Sequence, residues 1–425
     1  MIDRRRTVLV TDAGRGSAIA FLRSLGTKGW RVIAADSDAR SAGFRSRHVH
    51  ERLVYPDPAR SPRAFAEHLL GYLGSHPVDL VIPITDECIH PIAHRRSEFE
   101  RVTRVAIASD AALALVTDKE RTISLASGLG MSVPETRVVC DVEQARAAAA
   151  ELAFPIVVKP SVSRRYLPGE DRTLKGEVTF ARDLAALEKC ITALNGHRIL
   201  LQEYRRGEGV GVECVAHEGE VRRAFQHRRL AEIPVTGGAS AWRESMPLDP
   251  ELFEHARALI RALNWTGLVM VEFKRGEKPW FLEVNGRVWG SLPLACLSGV
   301  DFPGELAELF FPGEGARGAS LDGYRVGVRA YNLELMLSWI GQVLLGRTRH
   351  DYLPRPGRGR GLSGILGLLD PSQKSDLSGA GAAPRLAEAS RIARKFARKL
   401  AGARKPDVAL RLDVARELDL DRRKA

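Results

Sequence analysis

The sequence predicts an α/β chain that opens on a doubly wound parallel sheet, continues as two further α+β lobes and ends in a helical, basic extension. Three observations carry this reading: strands and helices alternate over the first hundred residues, the texture changes near Val116, and both patterns are lost after about residue 330. With 425 residues and 44% hydrophobic content, the chain is long enough for two to four lobes with separate cores. The expected divisions are 1–115, 116–197, 198–330 and 331–425.

TVLVTD at 7–12 and RVIAAD at 31–36 are β-branched runs flanking a helical stretch over 17–28, which makes a βαβ unit. DLVIPITDE at 79–87 is a third strand of the same kind, so a parallel sheet is predicted over roughly 1–112. Such sheets bind ligands at the carboxyl ends of their strands. Asp12, Asp36, Asp86 and Glu87 fall there, and Glu87 is a candidate substrate contact. The first turn, GRGSAI, has Ile19 where a dinucleotide-binding fingerprint needs its third glycine, which argues against hydride transfer.

After Val116, TDKERTISLASGLG reads as a helix closed by Gly128 or Gly130, followed by Pro134 and a new strand. The helix DVEQARAAAAEL precedes two strands, FPIVVKP at 154–160 and RILLQEY at 198–204. Between them the polar segment SVSRRYLPGEDRTLKGE reads as a lid or a disordered loop.

Four pieces fit the holding of a nucleotide triphosphate and its metal. Lys119 and Lys159 offer compact ammonium groups of the kind that suit phosphate oxygens. In LLQEYRRGEGVGVE a strand runs into a glycine-rich turn bracketed by Glu203 and Glu208; it offers backbone groups to a base and a carboxylate to sugar hydroxyls, though a charged hairpin tip explains it equally. LVMVEFKRGEKPWFLEVNGRVWG is the most specific piece. Its two strands place Glu272 and Glu283 side by side, with Asn285 on the same face as Glu283 and Arg287 continuing the alternation. Acidic residues inside apolar strands are costly without a cation, and these oxygen donors suit magnesium.

In this order the pieces resemble the ATP-grasp superfamily over about residues 1–330, and are similar to its carbamoyl-phosphate-synthase-like branch of carboxylate-amine ligases. The resemblance implies a pre-ATP-grasp domain, a small lid lobe and a larger nucleotide and metal lobe. It implies that Lys119 and Lys159 contact phosphates, that Gln202, Glu203 and Tyr204 meet the adenine, and that Glu208 or Glu213 holds the ribose. Glu272, Glu283 and Asn285 become ligands of Mg²⁺ or Mn²⁺, and Arg287 and Lys159 the catalytic pair. The implied reaction uses ATP to turn a small carboxylate into an acyl phosphate that an amine then attacks. Another ATP-grasp activity, a carboxylase or a kinase, and a non-catalytic nucleotide-binding regulator are the rival readings; the complete set from Glu272 to Arg287 speaks for turnover. The segment after Lys159 departs from the family in having only Gly169 and Gly176, so Arg164, Arg165 and Lys175 are expected to clamp phosphates in place of backbone amides.

AFQHRRLAEIPVTGGASAWRES places His227, Arg228 and Arg229 on a strand before the Gly237–Gly238 turn, and with Arg243 these form a candidate receiver for an anionic substrate. An exposed charged strand explains any one of them equally. Beyond 330, YNLELMLSWIGQVLLG reads as an amphipathic helix, RTRHDYLPRPGRGRG as a linker and SRIARKFARKLAGARKP as a basic helix. That helix is expected to be a solvated or disordered tail, with weak contact to an anionic membrane surface as the other use. Of the net charge of +12, residues 341–425 carry +10, with 19 basic and 9 acidic side chains, so the body is near neutral and no nucleic-acid partner is expected. Five scattered cysteines without a CxxC pair, no signal-peptide stretch and no apolar run longer than 335–345 lead to the expectation of a soluble, cytoplasmic protein.

Overall fold

The computed structural model describes residues 5–402 apart from 195–197, 312–320, 322, 347 and 349. The first domain comprises β1 (Thr7–Val10), α1 (Gly16–Thr27), β2 (Arg31–Asp36), β3 (Glu51–Val54), α2 (Pro62–Ser75), β4 (Leu80–Ile82), α3 (Asp86–His94), α4 (Arg96–Glu100) and β5 (Arg104–Val105). Its strands lie in the order β3-β2-β1-β4-β5, all parallel, as the buried apolar runs predict. The order reverses direction between β1 and β4. There the acids at the strand ends knit the turns together: Asp36 accepts from the Gly14 amide at 2.7 Å and Asp12 accepts from the Thr11 and Thr85 hydroxyls.

Helices α5 (Asp110–Thr117) and α6 (Lys119–Gly128) lead into the small lobe. It contains β6 (Thr136–Val139), α7 (Val142–Ala149), β7 (Ile156–Pro160), β8 (Arg164–Leu167), β9 (Arg172–Lys175), β10 (Thr179–Ala181), α8 (Leu184–Ala193) and β11 (Ile199–Glu203). Strands β10-β7-β11-β6 form an antiparallel sheet over a core that includes Val139, Ile156, Val158, Leu187 and Leu201. Because β11 pairs with both β6 and β7, this lobe extends to Glu203, past the boundary expected at 197.

The polar segment after β7 is ordered, which corrects the loop reading. It folds into the β8–β9 hairpin, whose turn is closed by Asp171 at φ 47°. The hairpin is fastened to the first domain. Asp171 accepts from the Ser61 hydroxyl and the Arg63 amide, both at 2.7 Å, at the start of α2, and Arg164 pairs with Glu87 at 2.8 Å.

The large lobe runs through β12 (Glu208–His217), β13 (Glu220–Ile233), β14 (Ala239–Met246), α9 (Pro250–Ala262), β15 (Gly267–Arg275), β16 (Pro279–Asn285), α10 (Leu292–Ser298) and α11 (Phe302–Leu309). Then come β17 (Arg329–Tyr331), α12 (Leu333–Leu345), α13 (Arg358–Leu369), β18 (Lys374–Ser375) and α14 (Ala382–Gly402). The sheet order is β16-β15-β12-β13-β14-β17-β18. One face packs on α9 through Val210, Val212, Leu252 and Leu259; the other, toward the first domain, carries the charged residues described below.

The C-terminal extension belongs to this lobe, because β17 and β18 widen its sheet. Helix α12 seats Met336 and Trp339 against Ala241 and Trp242. Helix α14, expected as a solvated or disordered tail, is ordered through 402 and lies near residues 42–45; residues 403–406 of the basic run lie outside the described part. Among the described residues no helix is long and apolar enough to cross a membrane.

Candidate active site

A cavity of about 1050 Å³ opens between the three lobes and the C-terminal extension. Its floor is the inner face of the large sheet. On that face β12 contributes Gly209, Gly211 and Glu213, and a side chain at either glycine would collide with the residues crossing it: a Cβ at Gly209 would lie 2.9 Å from Arg229 Cδ, and one at Gly211 2.6 Å from His227 Cε1. The glycines therefore cut a channel across β12. Through it Arg229 of β13 reaches Glu272 of β15, with N–O 2.5 Å.

Glu272 and Glu283 are cross-strand partners on β15 and β16. Asn285 donates its amide to Glu272 Oε1 at 2.8 Å, which leaves its carbonyl oxygen available. Lys119, the first residue of α6, donates to Glu283 Oε2 at 3.0 Å. The two carboxylates thus share one patch while each is neutralised by a cation from a different element. Lys119 holds the Glu283 carboxyl down to about 2 against the opposing effect of burial. Burial pushes the Glu272 carboxyl up, and Arg229 opposes it.

Lys159 at the end of β7 faces the cavity from the small lobe. Burial, with the charge of Lys119 adding to it, lowers its ammonium from 10.5 to about 8. Arg287 also lines the cavity, its Nε donating to Asp86 Oδ2 of the first domain at 2.9 Å. Gln202, Glu203 and Tyr204 form the hinge-side wall; Gln202 is fixed by a 2.8 Å bond to Thr136, and Arg205 stacks 3.9 Å above the Trp280 ring while pairing with Glu203.

Several expected residues lie elsewhere. Lys119 lines a smaller neighbouring cavity of about 110 Å³ with Glu283, Asn285 and Arg287. Neither candidate for holding a ribose reaches the main cavity: Glu208 points to the opposite face of β12 and lies 3.8 Å from Arg228, and Glu213 is wholly buried. Glu213 accepts from Ser291 at 2.9 Å and lies 3.0 Å from His227 Nδ1, so this buried pair supports the floor. Arg228 also turns away, donating to Glu244. Arg229, one residue on, takes the inner face, as strand alternation requires. Glu87 lines the cavity but is engaged by Arg164, and the side chains of Arg165 and Lys175 lie outside the described part.

Arg243, a candidate receiver from the sequence, does line the cavity, whereas other lining residues carried no signal in the sequence. Glu232 and Lys274 sit 4.0 Å apart on the inner face. Arg243 is buried and ion-paired with Asp376, which also accepts from Asn332 at 3.1 Å. Glu334, Glu388, Arg391 and Lys395 complete the wall, with Arg391 and Lys395 both paired to Glu334.

The donor set fits a hard divalent cation carried by phosphates. Among the described residues no three His, Cys, Asp or Glu side chains converge, so a transition-metal cage is not built. Two carboxylates and an amide oxygen instead match magnesium, which takes few protein ligands and completes its shell with phosphate oxygens and water.

Residues 196–328 match the family described as ATP-grasp in the biosynthetic pathway with Ter operon. The fold is similar to that of an L-amino acid ligase from Bacillus licheniformis, with TM-score 0.56, 15% identity, and 73% of this chain and 76% of that one covered. An N5-carboxyaminoimidazole ribonucleotide synthetase in complex with ADP aligns over 86% of this chain and 96% of its own, with TM-score 0.58 and 13% identity. A biotin carboxylase from Campylobacter jejuni aligns over 77% and 74%, with TM-score 0.58 and 16% identity. The match over residues 196–328 and these likenesses in fold agree on an ATP-grasp fold.

Proposed function

We propose that this protein is an ATP-dependent ligase that activates a small carboxylate as its acyl phosphate and passes the acyl group to an amine. The observation that supports it most is the placement of Glu272, Glu283 and Asn285 on adjacent strands, within one cavity that Lys159 and Arg287 also face. In this reading Glu272, Glu283 and Asn285 hold magnesium, which when bound neutralises phosphate charge. A carboxylate oxygen of the substrate attacks the γ-phosphorus and ADP leaves. The amine nitrogen then attacks the acyl carbon, phosphate leaves, and the nitrogen gives up a proton.

The protein's share is placement and charge, because phosphoryl transfer needs little covalent help. Lys159 supplies a buried ammonium, and Arg287 a guanidinium that Asp86 holds in orientation. Arg229 opposes the burial that pushes the Glu272 carboxyl up. The small lobe and the C-terminal extension wall off water, which prolongs the life of a reactive acyl group.

The test is ADP release with Mg-ATP and hydroxylamine across a panel of amino acids and other carboxylates, since hydroxylamine traps an acyl phosphate as a hydroxamate. Hydroxamate formation with a particular acid supports the reading. ADP release that depends on bicarbonate and yields no hydroxamate assigns the chain to carboxylation instead.

A further inference from the structure

Helix α13 is turned inside out. Its glycines face the protein: Gly361, Gly364 and Gly367 are buried, and a Cβ at Gly364 would lie 2.8 Å from the Trp339 ring and one at Gly361 2.9 Å from Leu344. Its large side chains face away. Leu362, Ile365, Leu366 and Leu369 are 56%, 37%, 67% and 75% exposed, at the i, i+3, i+4, i+7 spacing of a single stripe. Close approach to α12 accounts for the glycines but not for the leucines, and a contiguous exposed apolar stripe marks an interaction surface.

The charges around the stripe select the partner. The only acids that flank the helix and its lead-in among the described residues are the exposed Asp351 and the half-buried Asp370 at the two ends; between them there is no Asp or Glu, and Arg355 and Arg358 are exposed at the start of the helix. Among the described residues no carboxylate pairs with Arg355 or Arg358: Arg355 donates to the Gly346 carbonyl, while Arg360, on the glycine face, turns inward to the Leu230 carbonyl. An apolar stripe beside uncompensated arginines matches an anionic lipid surface, with leucines at the acyl boundary and guanidinium groups on headgroup phosphates. A second copy of the chain would present the same positive region. Helix α14, for which weak membrane contact was the second reading, spends Arg391 and Lys395 on Glu334.

We infer that α13 docks this protein on an anionic membrane surface, through Leu362, Ile365, Leu366 and Leu369 with Arg355 and Arg358. The contact is peripheral, and it holds whatever reaction the cavity performs.

The experiment is co-sedimentation of the full-length protein with phosphatidylcholine vesicles, with and without about 30% phosphatidylglycerol. Binding is expected only with the anionic lipid and weakens as salt rises from about 0.1 to 0.5 M. Leu366→Glu combined with Leu369→Glu should lower the partition constant at least about tenfold. Both positions are exposed and outside the cavity, so an unchanged melting temperature shows that the variant is folded. Absence of wild-type binding would overturn the inference. So would undiminished binding by the variant, which would move the contact to residues beyond 402, and so would a wild-type dimer that this variant dissociates without any vesicle binding.

Discussion

Arg229 and Glu272 meet at 2.5 Å although a whole strand lies between them, and two glycines of that strand make the crossing possible. Both side chains are about 10% exposed where they line the cavity, so water replaces little of what each charge gives the other. Arg229→Ala should therefore destabilise the protein by about 3–5 kcal/mol in denaturant unfolding, the usual cost of leaving one buried charge unpaired. Arg229→Met combined with Glu272→Gln should recover much of that loss; equal destabilisation by the single and double variants would contradict the pairing.

Glu283 carries the opposite arrangement, a carboxylate held strongly ionised by Lys119. Glu283→Gln keeps the shape and removes the charge. Magnesium-dependent ATP turnover should fall about 100-fold or more while the circular dichroism spectrum is retained. Turnover at the wild-type level would remove Glu283 from the metal set.

The lowered ammonium of Lys159 gives a pH signature. Below about pH 8 the group is protonated and receives phosphate oxygens at no cost; above it, binding must take up a proton. Nucleotide affinity should then weaken by up to about tenfold per pH unit above that point, and Lys159→Arg should flatten the profile. The same shift means that the native state gives up this proton before the unfolded chain does. The group's contribution to stability accordingly rises with pH between about 8 and 10.5.

Asp171 ties the hairpin tip to the first domain by two hydrogen bonds at a partly exposed site. Asp171→Ala should accelerate amide exchange across β8 and β9 while changing global stability by no more than about 1–2 kcal/mol. Unchanged exchange would show that the remaining contacts, Arg164 with Glu87, Arg63 with the Pro168 carbonyl and His94 with Tyr166, suffice to hold the hairpin.

The carboxylates of the cavity floor were legible because an acid inside an apolar strand is expensive, and Glu272, Glu283 and Asn285 stand out against Val, Met, Phe and Leu. The parallel sheet was legible for the related reason that its strands are continuous apolar runs. What escaped the sequence depends on register. Choosing Arg229 over Arg228 requires knowing which face of β13 turns inward, although the alternation of Gly209 and Gly211 on the neighbouring strand carried that signal. Glu213 reads like any acid beside a glycine-rich turn until Ser291 and His227 are seen to enclose it in the middle of β12. The pairs Arg243–Asp376 and Glu334–Arg391 join residues 133 and 57 positions apart, distances over which no local pattern extends. The hairpin at 164–175 was hidden by its polarity, since its stability comes from docking on another domain and not from a core of its own.

The most direct measurement follows oxygen. A mixture of amino acids with ¹⁸O-labelled carboxyl groups, incubated with the protein, Mg-ATP and hydroxylamine, should yield inorganic phosphate carrying one labelled oxygen, because the carboxylate oxygen that attacked phosphorus leaves with it. ADP release with wholly unlabelled phosphate would contradict acyl-phosphate formation and leave the cavity with a different use of ATP.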